Sequence, residues 1–283
     1  MTRMLCTVVA LAGVLVASAR ADGLPVLGID VGATGVAEPG ASHRFVAVPV
    51  GNDTLVARVE RTSGRVRSSR ILRGRLTIPA VAYDGSAAGL TAKGSRLVLI
   101  VPRLGFPRAT TPFAIVDTKD LRISKRLTLR GDFSFDATSP DGRWLYLIHY
   151  TAPNDPLQYA VRALDTATGT LLPGAIVDPR EPDEAMTGRP LTRATSRDGR
   201  WAYTLYDGAR YPFVHALDTV GRSARCIDLD WLRGRKDLAR LRLAVSPDSR
   251  ALGVRAGRRT VAAIDTSTFV ARRVTRASAS AHR

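Results

Sequence analysis

Short runs of alternating apolar and polar residues, separated by turn-forming residues, fill most of the chain. The clearest set lies near the C-terminus, where Leu241–Val245 alternates and is followed at once by Ser246, Pro247 and Asp248. Proline presets φ, and serine and aspartate side chains bond the nearby backbone, so these residues predict a tight turn. Three further strand-like runs follow, at residues 251–255, 260–265 and 269–274. Four short strands joined by turns indicate one antiparallel sheet.

Four more units with this pattern precede the last one. The predicted strands are 191–195, 201–206, 212–218 and 224–229 in unit four; 133–138, 144–150, 158–165 and 171–177 in unit three; and 88–91, 97–102, 113–117 and 123–129 in unit two. Unit one is degenerate, with three runs at 45–50, 54–60 and 65–72.

Two short phrases recur in units two to five, with a weaker copy of the first at 92–96 in unit two. Ser139-Pro140-Asp141-Gly142-Arg143-Trp144 returns at 196–201, and a related phrase occupies 246–250. An Asp-Thr pair follows each phrase, and successive pairs are 48, 53 and 47 residues apart. A repeat near 50 residues that is built from short strands predicts an all-β fold, a β-propeller of about five four-stranded blades. Aspartates at 117, 165, 218 and 265 stand at one position of the repeat, which favours backbone-bonding turns over a metal site.

The phrase Ser-Pro-Asp-Gly-Arg-Trp-Leu-Tyr-Leu, followed by Ala-Leu-Asp-Thr-Ala-Thr-Gly, resembles the YVTN-type β-propeller repeat and the related WD40-like repeats. The resemblance covers roughly residues 40–275 and is strongest in units three to five. It implies an extracytoplasmic propeller, in a group that ranges from surface proteins to binding modules and some enzymes. The shared motifs form turns in that family, so no catalytic set is implied here.

The N-terminal 21 residues have the pattern of a signal peptide. Arg3 precedes an apolar run at 5–17, and Ala19-Arg20-Ala21 has the small-x-small form of a cleavage site. The alternative, a membrane anchor, needs about 20 apolar residues. We therefore expect export, a mature chain that begins at Asp22, a propeller over 22–275 and a basic disordered tail over 276–283. We also expect an apolar strand at 25–31 to pair with the last blade and close the ring.

Net charge and cysteine content restrict the classes of binding partner and the covalent links that the chain can form. The formal net charge is +17, which favours an anionic cell-envelope polymer, an acidic protein or a small anion; a genome-wide bias toward arginine is the alternative explanation. Export and the even spread of basic residues argue against nucleic acid. Removal of the signal leaves Cys226 as the single cysteine, so no internal disulfide can form. No later segment is apolar enough to span a membrane, and we expect a monomer.

The candidate ligand-binding residues lie on the predicted innermost strands, because these strands line the channel of a propeller. Counting back three positions from the turn serine gives Asp136 and Arg193, and Arg242 lies one position further back in unit five. An arginine fork suits a carboxylate or phosphate, whereas a buried pair with Asp136 is the structural alternative. Other places where ligands bind are the longer links; these occupy 151–156, 178–189 and 232–240.

Catalytic chemistry finds little support in the sequence. Cys226 lacks a sequence partner, no nucleophile elbow occurs, and the spacing of histidines and carboxylates predicts no metal ligand set and no cofactor. The first hypothesis is a secreted, non-catalytic binding or scaffold propeller. The alternative is a hydrolase or lyase acting on a sugar, lactone or phosphoester, which requires Asp136, His149, Asp183 and Glu184 to converge.

Overall fold

Short antiparallel strands make up nearly all of the regular structure. The computed structural model describes residues 34–184 and 186–275, so the predicted signal peptide (1–21), the ring-closing strand (25–31) and the basic tail (276–283) lie outside the described residues. The strands are β1 His43–Val50, β2 Asp53–Glu60, β3 Val66–Leu72, β4 Arg96–Ile100, β5 Thr110–Asp117, β6 Arg122–Arg130, β7 Phe133–Thr138, β8 Trp144–Ala152, β9 Asp155–Asp165, β10 Thr170–Leu171, β11 Pro190–Thr195, β12 Trp201–Tyr206, β13 Phe213–Asp218, β14 Ser223–Asp228, β15 Leu241–Val245, β16 Ala251–Ala256, β17 Arg259–Asp265 and β18 Ala271–Arg273.

These strands form five antiparallel sheets in chain order, which are the blades of a β-propeller. Blades three, four and five have four strands each, β7–β10, β11–β14 and β15–β18. Blades one and two are the three-stranded sheets β1–β3 and β4–β6. Blade one gains a partial inner strand through the bridge from Val36 to Phe45, and blade two gains inner segments through bridges from Leu90 to Leu97 and from Thr77 to Ile100. The predicted all-β propeller with five blades is confirmed.

Two predicted strands are shorter than the sequence pattern suggested. In blade two, Gly89 adopts a φ of +110°, and a Cβ there would lie 2.6 Å from the carbonyl oxygen of Val98. In blade three the outer strand ends after Leu171, because Pro173 lacks an N–H and Gly174 adopts a positive φ. The chain beyond nevertheless stays beside β9, since the Ile176 N–H donates to the Val161 carbonyl at 2.8 Å.

The core consists of apolar layers between neighbouring blades. Leu99 belongs to the layer between blades one and two, Phe135 to the layer between blades two and three, and Tyr146 to the layer between blades three and four. Tyr203 joins blade four to blade five. Alternation along each strand creates these layers, because every second side chain points to the same face of a sheet.

The serine-aspartate phrase forms the turn that the sequence predicts. The Ser139 hydroxyl donates to Asp141 Oδ1 at 2.5 Å, and Asp141 Oδ1 also accepts the N–H of Arg143 at 3.0 Å. The N–H of Trp144 then donates to Ser139 Oγ at 2.9 Å. The same three bonds recur at 196–201 and 246–251.

The Asp-Thr phrase ties the third strand of each blade to this turn. The Thr166 hydroxyl donates to the Gly142 carbonyl at 3.0 Å, and the Thr219 hydroxyl donates to the Gly199 carbonyl at 2.9 Å. The Thr266 hydroxyl makes the matching bond to the Ser249 carbonyl at 2.7 Å. The preceding aspartates accept backbone N–H groups two residues on. The two phrases of the repeat are therefore two halves of one hydrogen-bonded corner.

A hairpin at residues 79–88, which the sequence analysis did not foresee, crosses the middle of the ring. It leaves the link between blades one and two, and its tip pairs with blade four: the Tyr83 N–H donates to the Pro190 carbonyl at 2.9 Å, and the Asp84 N–H to the Leu191 carbonyl at 3.2 Å. Ala82 is buried at 1% exposure. Because blades two and four are not adjacent, the hairpin occupies the centre.

Replacing Thr219 by valine should destabilise the fold by about 1–2 kcal/mol, because the Gly199 carbonyl loses its buried donor while the side-chain volume is kept. Urea unfolding followed by circular dichroism measures this. The same change at Thr128, an exposed threonine on β6, is the control and should cost less than about 0.5 kcal/mol. Equal effects at the two positions would contradict the role assigned to the corner.

Candidate functional site

Two of the three predicted ligand residues form a buried ion pair in the centre of the propeller. Arg193 on β11 bridges to Asp136 on β7, and its second guanidinium nitrogen, Nη1, donates to the Asp136 carbonyl at 3.1 Å. The two side chains are 5% and 4% exposed. They line a cavity of about 260 Å³, the central cavity, to which the inner segments of blades one to four contribute. Anion binding there stays a prediction, but the fork of Arg193 is already engaged by a carboxylate.

The third predicted residue, Arg242, lies on the first strand of the neighbouring blade and does not join the pair. Its side chain is half-exposed, and its Nε lies 3.3 Å from Oδ2 of Asp84 in the central hairpin. Its Nη1 donates to the Leu241 carbonyl at 2.8 Å. Arg193 and Arg242 thus stand on strands β11 and β15 as expected, yet each has a different acidic partner.

The residues that a hydrolase mechanism would need are not brought into one cavity. Asp136 lines the central cavity, whereas Asp183 and Glu184 line a separate cavity between blades three and four. His149 stacks on Phe133 with ring centroids 4.3 Å apart. Burial, followed by the charge of a nearby arginine, lowers the pKa of His149.

A second buried ion pair was not singled out from the sequence. Arg103, in the link after β4, bridges to Asp132, and its guanidinium lies 4.7 Å from the centroid of the Tyr150 ring. Asp132 also accepts the N–H of Arg108 at 3.0 Å. Nothing in the repeat marks these positions, since both lie in links outside the recurring turn phrases.

A concave site with convergent polar groups, which we call the interblade cavity, lies between blades three and four. Its volume is about 350 Å³. The walls come from β9, from β13 and β14, and from the linker, residues 172–189, all of which are described except residue 185. The apolar part of the wall includes Tyr159, Val161, Ile176, Met186 and Phe213. The sequence analysis pointed to 178–189 as a place where ligands bind, but not to the strand residues opposite.

Asp178 anchors the linker to blade four. Its carboxylate is buried and accepts Arg180 Nη2 at 2.5 Å, Arg225 Nη1 at 2.9 Å and the N–H of Cys226 at 2.9 Å. Burial acts to raise its pKa, but the hydrogen bonds from Arg180, from the two backbone N–H groups and from Arg225 hold the pKa of Asp178 well below its usual range. The Ala224 N–H donates to the Val177 carbonyl at 3.2 Å. One wall of the cavity is therefore fixed in place.

The strand side of the cavity carries a histidine and a cysteine that face each other in the β13–β14 register. His215 is buried at 2% exposure, and neither imidazole nitrogen makes a hydrogen bond within the described residues. Burial lowers the pKa of His215 to about 4, so the imidazole is neutral at pH 7. Burial and the nearby Asp178 raise the pKa of Cys226 to about 12, so the thiol stays protonated.

Carboxylates surround the mouth of the interblade cavity. The Glu181 carboxyl lies close to that of Glu184, and this proximity, followed by burial and the charge of Glu184, raises the pKa of Glu181. Asp228 accepts the Tyr211 hydroxyl at 3.1 Å. Asp183 also lines the mouth, and the single lining arginine, Arg210, lies over the Tyr211 ring at 5.5 Å.

In residues 34–184 and 186–275, the part of the chain that the structure describes, no three His, Cys, Asp or Glu side chains are grouped so that they could hold a metal ion. Nor does this part of the chain contain a helix with the length and apolar character that a bilayer crossing requires.

Comparison with known proteins finds distant likenesses among solved structures. No protein-family model matches the chain, and no curated protein matches it. Dihydro-heme d1 dehydrogenase NirN in complex with DHE is similar at 16% identity and a TM-score of 0.48, over 86% of this chain but 46% of that one. TolB from Acinetobacter baumannii is similar at 14% identity and a TM-score of 0.38, over 82% of this chain and 57% of that one. The propeller assignment rests on the five sheets and their repeat.

Replacing Arg193 by alanine should destabilise the protein by about 3–5 kcal/mol, because it leaves the Asp136 carboxylate buried without its partner. Arg242→Ala removes a half-exposed contact and should cost no more than about 1 kcal/mol. Thermal melts with and without phosphate measure both effects. An anion site at Arg193 would instead show phosphate stabilising the wild type and not the Arg193→Ala variant. An unchanged melting temperature in the Arg193→Ala variant would contradict the ion-pair account.

Proposed function

We propose that the chain is an exported, non-catalytic β-propeller that binds a small molecule in the interblade cavity. One observation carries this proposal: His215 is a buried side chain without a hydrogen-bond partner in the described residues, and it lines an apolar cavity of about 350 Å³. The imidazole nitrogens make no hydrogen bond to the described residues and open to the cavity, where a ligand or ordered water can bond them. Cavities of this size, with few convergent polar groups, suit small molecules.

The protonation of the cavity residues favours binding over catalysis. A nucleophilic cysteine needs a lowered pKa and a nearby cation, whereas the pKa of Cys226 is raised to about 12 and its cross-strand neighbour His215 is neutral. Asp178 is held ionised by two arginines and two amides, and so cannot serve as a general acid. These groups can fix the orientation of a ligand without reacting with it.

Export and an anionic envelope partner form the second part of the proposal. The pattern at 1–21 supports a cleaved signal peptide, and the net charge of +17 supports loose association with anionic cell-envelope polymers. This association would be long-range and sensitive to salt. It would be separate from the interblade cavity, whose mouth carries carboxylates.

Expression of the full chain in a bacterial host tests export. The mature protein should begin at Asp22 and should leave washed envelopes when the salt concentration is raised, because exposed charges are screened by salt. N-terminal sequencing and fractionation measure this. Retention of residues 1–21, or envelope binding that high salt does not weaken, would contradict this part of the proposal.

Protein-observed NMR with a fragment library of cations, anions and neutral compounds tests the interblade cavity. Hits should shift amide signals of residues 175–184 and 208–228, because these segments line the cavity. Val161→Phe, which enlarges a side chain on the face of β9 that lines the cavity, should abolish these shifts.

The matched control is Ala37→Phe, an exposed alanine that lines the central cavity instead. This variant should leave the shifts intact. Hits that persist in Val161→Phe and vanish in Ala37→Phe would place binding in the central cavity and refute the proposal.

A further inference from the structure

The charge around the interblade cavity is opposite to that of the whole chain. Five carboxylates line the cavity against one arginine, in a chain that carries a net charge of +17. Asp178 is neutralised by Arg180 and Arg225. The other four acids, which are Glu181, Asp183, Glu184 and Asp228, form no salt bridge within residues 34–184 and 186–275.

The pairing of Glu181 with Glu184 concentrates the excess negative charge at one place in the cavity. Both carboxyl groups line the cavity, and the nearness of Glu184 raises the pKa of Glu181. Basic side chains pair with acids widely elsewhere, as Arg200 does with Asp218 and Arg189 with Asp207. A carboxylate pair without a basic partner gains most from a cation that comes from outside, because an opposite charge at short range relieves the repulsion.

A second, independent observation concerns the strand side of the cavity. His215 is 2% exposed, lines the cavity and has no hydrogen-bond partner in the described chain. A neutral imidazole offers one N–H donor and one nitrogen acceptor. Between this group and the carboxylates at the mouth, the wall includes Tyr159, Phe213 and Ile176.

We propose that the interblade cavity binds a small molecule with an apolar or aromatic body, a protonated amine at one end and a hydrogen-bonding group at the other. This inference rests on the proposed function and names the ligand class of the same site. The ammonium group lies against Glu181 and Glu184 at the mouth. The apolar body packs along the aromatic wall, where ring faces also attract cations, and the distal polar group bonds His215.

Calorimetric titration of the mature chain with three compounds of nearly equal shape tests the proposal. The probes are tyramine, the neutral alcohol 2-(4-hydroxyphenyl)ethanol and the anion 4-hydroxyphenylacetate. Tyramine should bind at least about tenfold more tightly than the alcohol, since a charge-assisted contact is worth about 1.4 kcal/mol or more. The anion should bind most weakly. 2-Phenylethylammonium, which lacks the hydroxyl, should bind several-fold more weakly than tyramine.

Two variants assign the preference to the named groups. The double change Glu181→Gln, Glu184→Gln should reduce the preference for tyramine over the alcohol to within about threefold, and melting should show an intact fold because both residues are exposed. The control, Glu38→Gln with Asp120→Asn, removes the same charge elsewhere and should leave the preference unchanged. In His215→Phe, tyramine and 2-phenylethylammonium should bind equally.

The outcomes separate the ligand class from the site itself. Binding of the alcohol or the anion as tightly as tyramine, with loss of that binding in Val161→Phe, would overturn the cationic class and leave the cavity as the site. Tyramine binding that Val161→Phe leaves unchanged would overturn both proposals. A failure of tyramine to bind at millimolar concentration would overturn the inference, while the fragment experiment would still decide the proposed function.

Discussion

The structure depends on a hydrogen bond between the threonine of each Asp-Thr pair and a carbonyl of the preceding turn. Thr166 bonds to Gly142, Thr219 to Gly199 and Thr266 to Ser249, with oxygen–oxygen distances of 2.7–3.0 Å. Each bond joins the end of the third strand to the turn between the first two. Because it closes within one blade, each blade that carries the pair fixes its own strand positions, and apolar layers then join neighbouring blades. This arrangement leaves the links between blades free to vary.

The interblade cavity is lined by one of these variable links, the linker between blades three and four. The linker after blade three runs beside β9 and β14 and is held there by Asp178, whose carboxylate accepts two arginines and two backbone N–H groups. Beyond this anchor the chain carries Glu181, Asp183 and Glu184 over the open face of His215. The strands of blades three and four supply the aromatic wall, and the linker supplies three of the carboxylates at the mouth. The central hairpin meanwhile occupies the middle of the ring, where propellers commonly bind ligands.

The sequence predicted the features that depend on contacts between neighbouring residues, and it did not predict the features that depend on contacts far apart in the chain. The turn phrases and alternating runs predicted the strands of blades three to five closely, since serine, aspartate and glycine act on their own backbone. The central hairpin was missed, because its tip bonds blade four across more than 100 residues and no motif marks it. The strand positions of Asp136 and Arg193 predicted that both line the channel, but only the structure shows that they form an ion pair. The sequence does not mark His215 and Cys226 as cavity residues, because only the structure shows that the linker lies beside them.

We expect the blades to fold without linker residues 181–187, and we expect the interblade cavity to need these residues to bind its ligand. Replacing residues 181–187 by a Gly-Ser segment of equal length, with Asp178 and Arg180 retained, tests both expectations together. Thermal unfolding followed by circular dichroism should remain a single cooperative transition near the wild-type temperature, while calorimetric titration should show that tyramine binding is lost. Retained binding, or collapse of the whole propeller, would contradict the account.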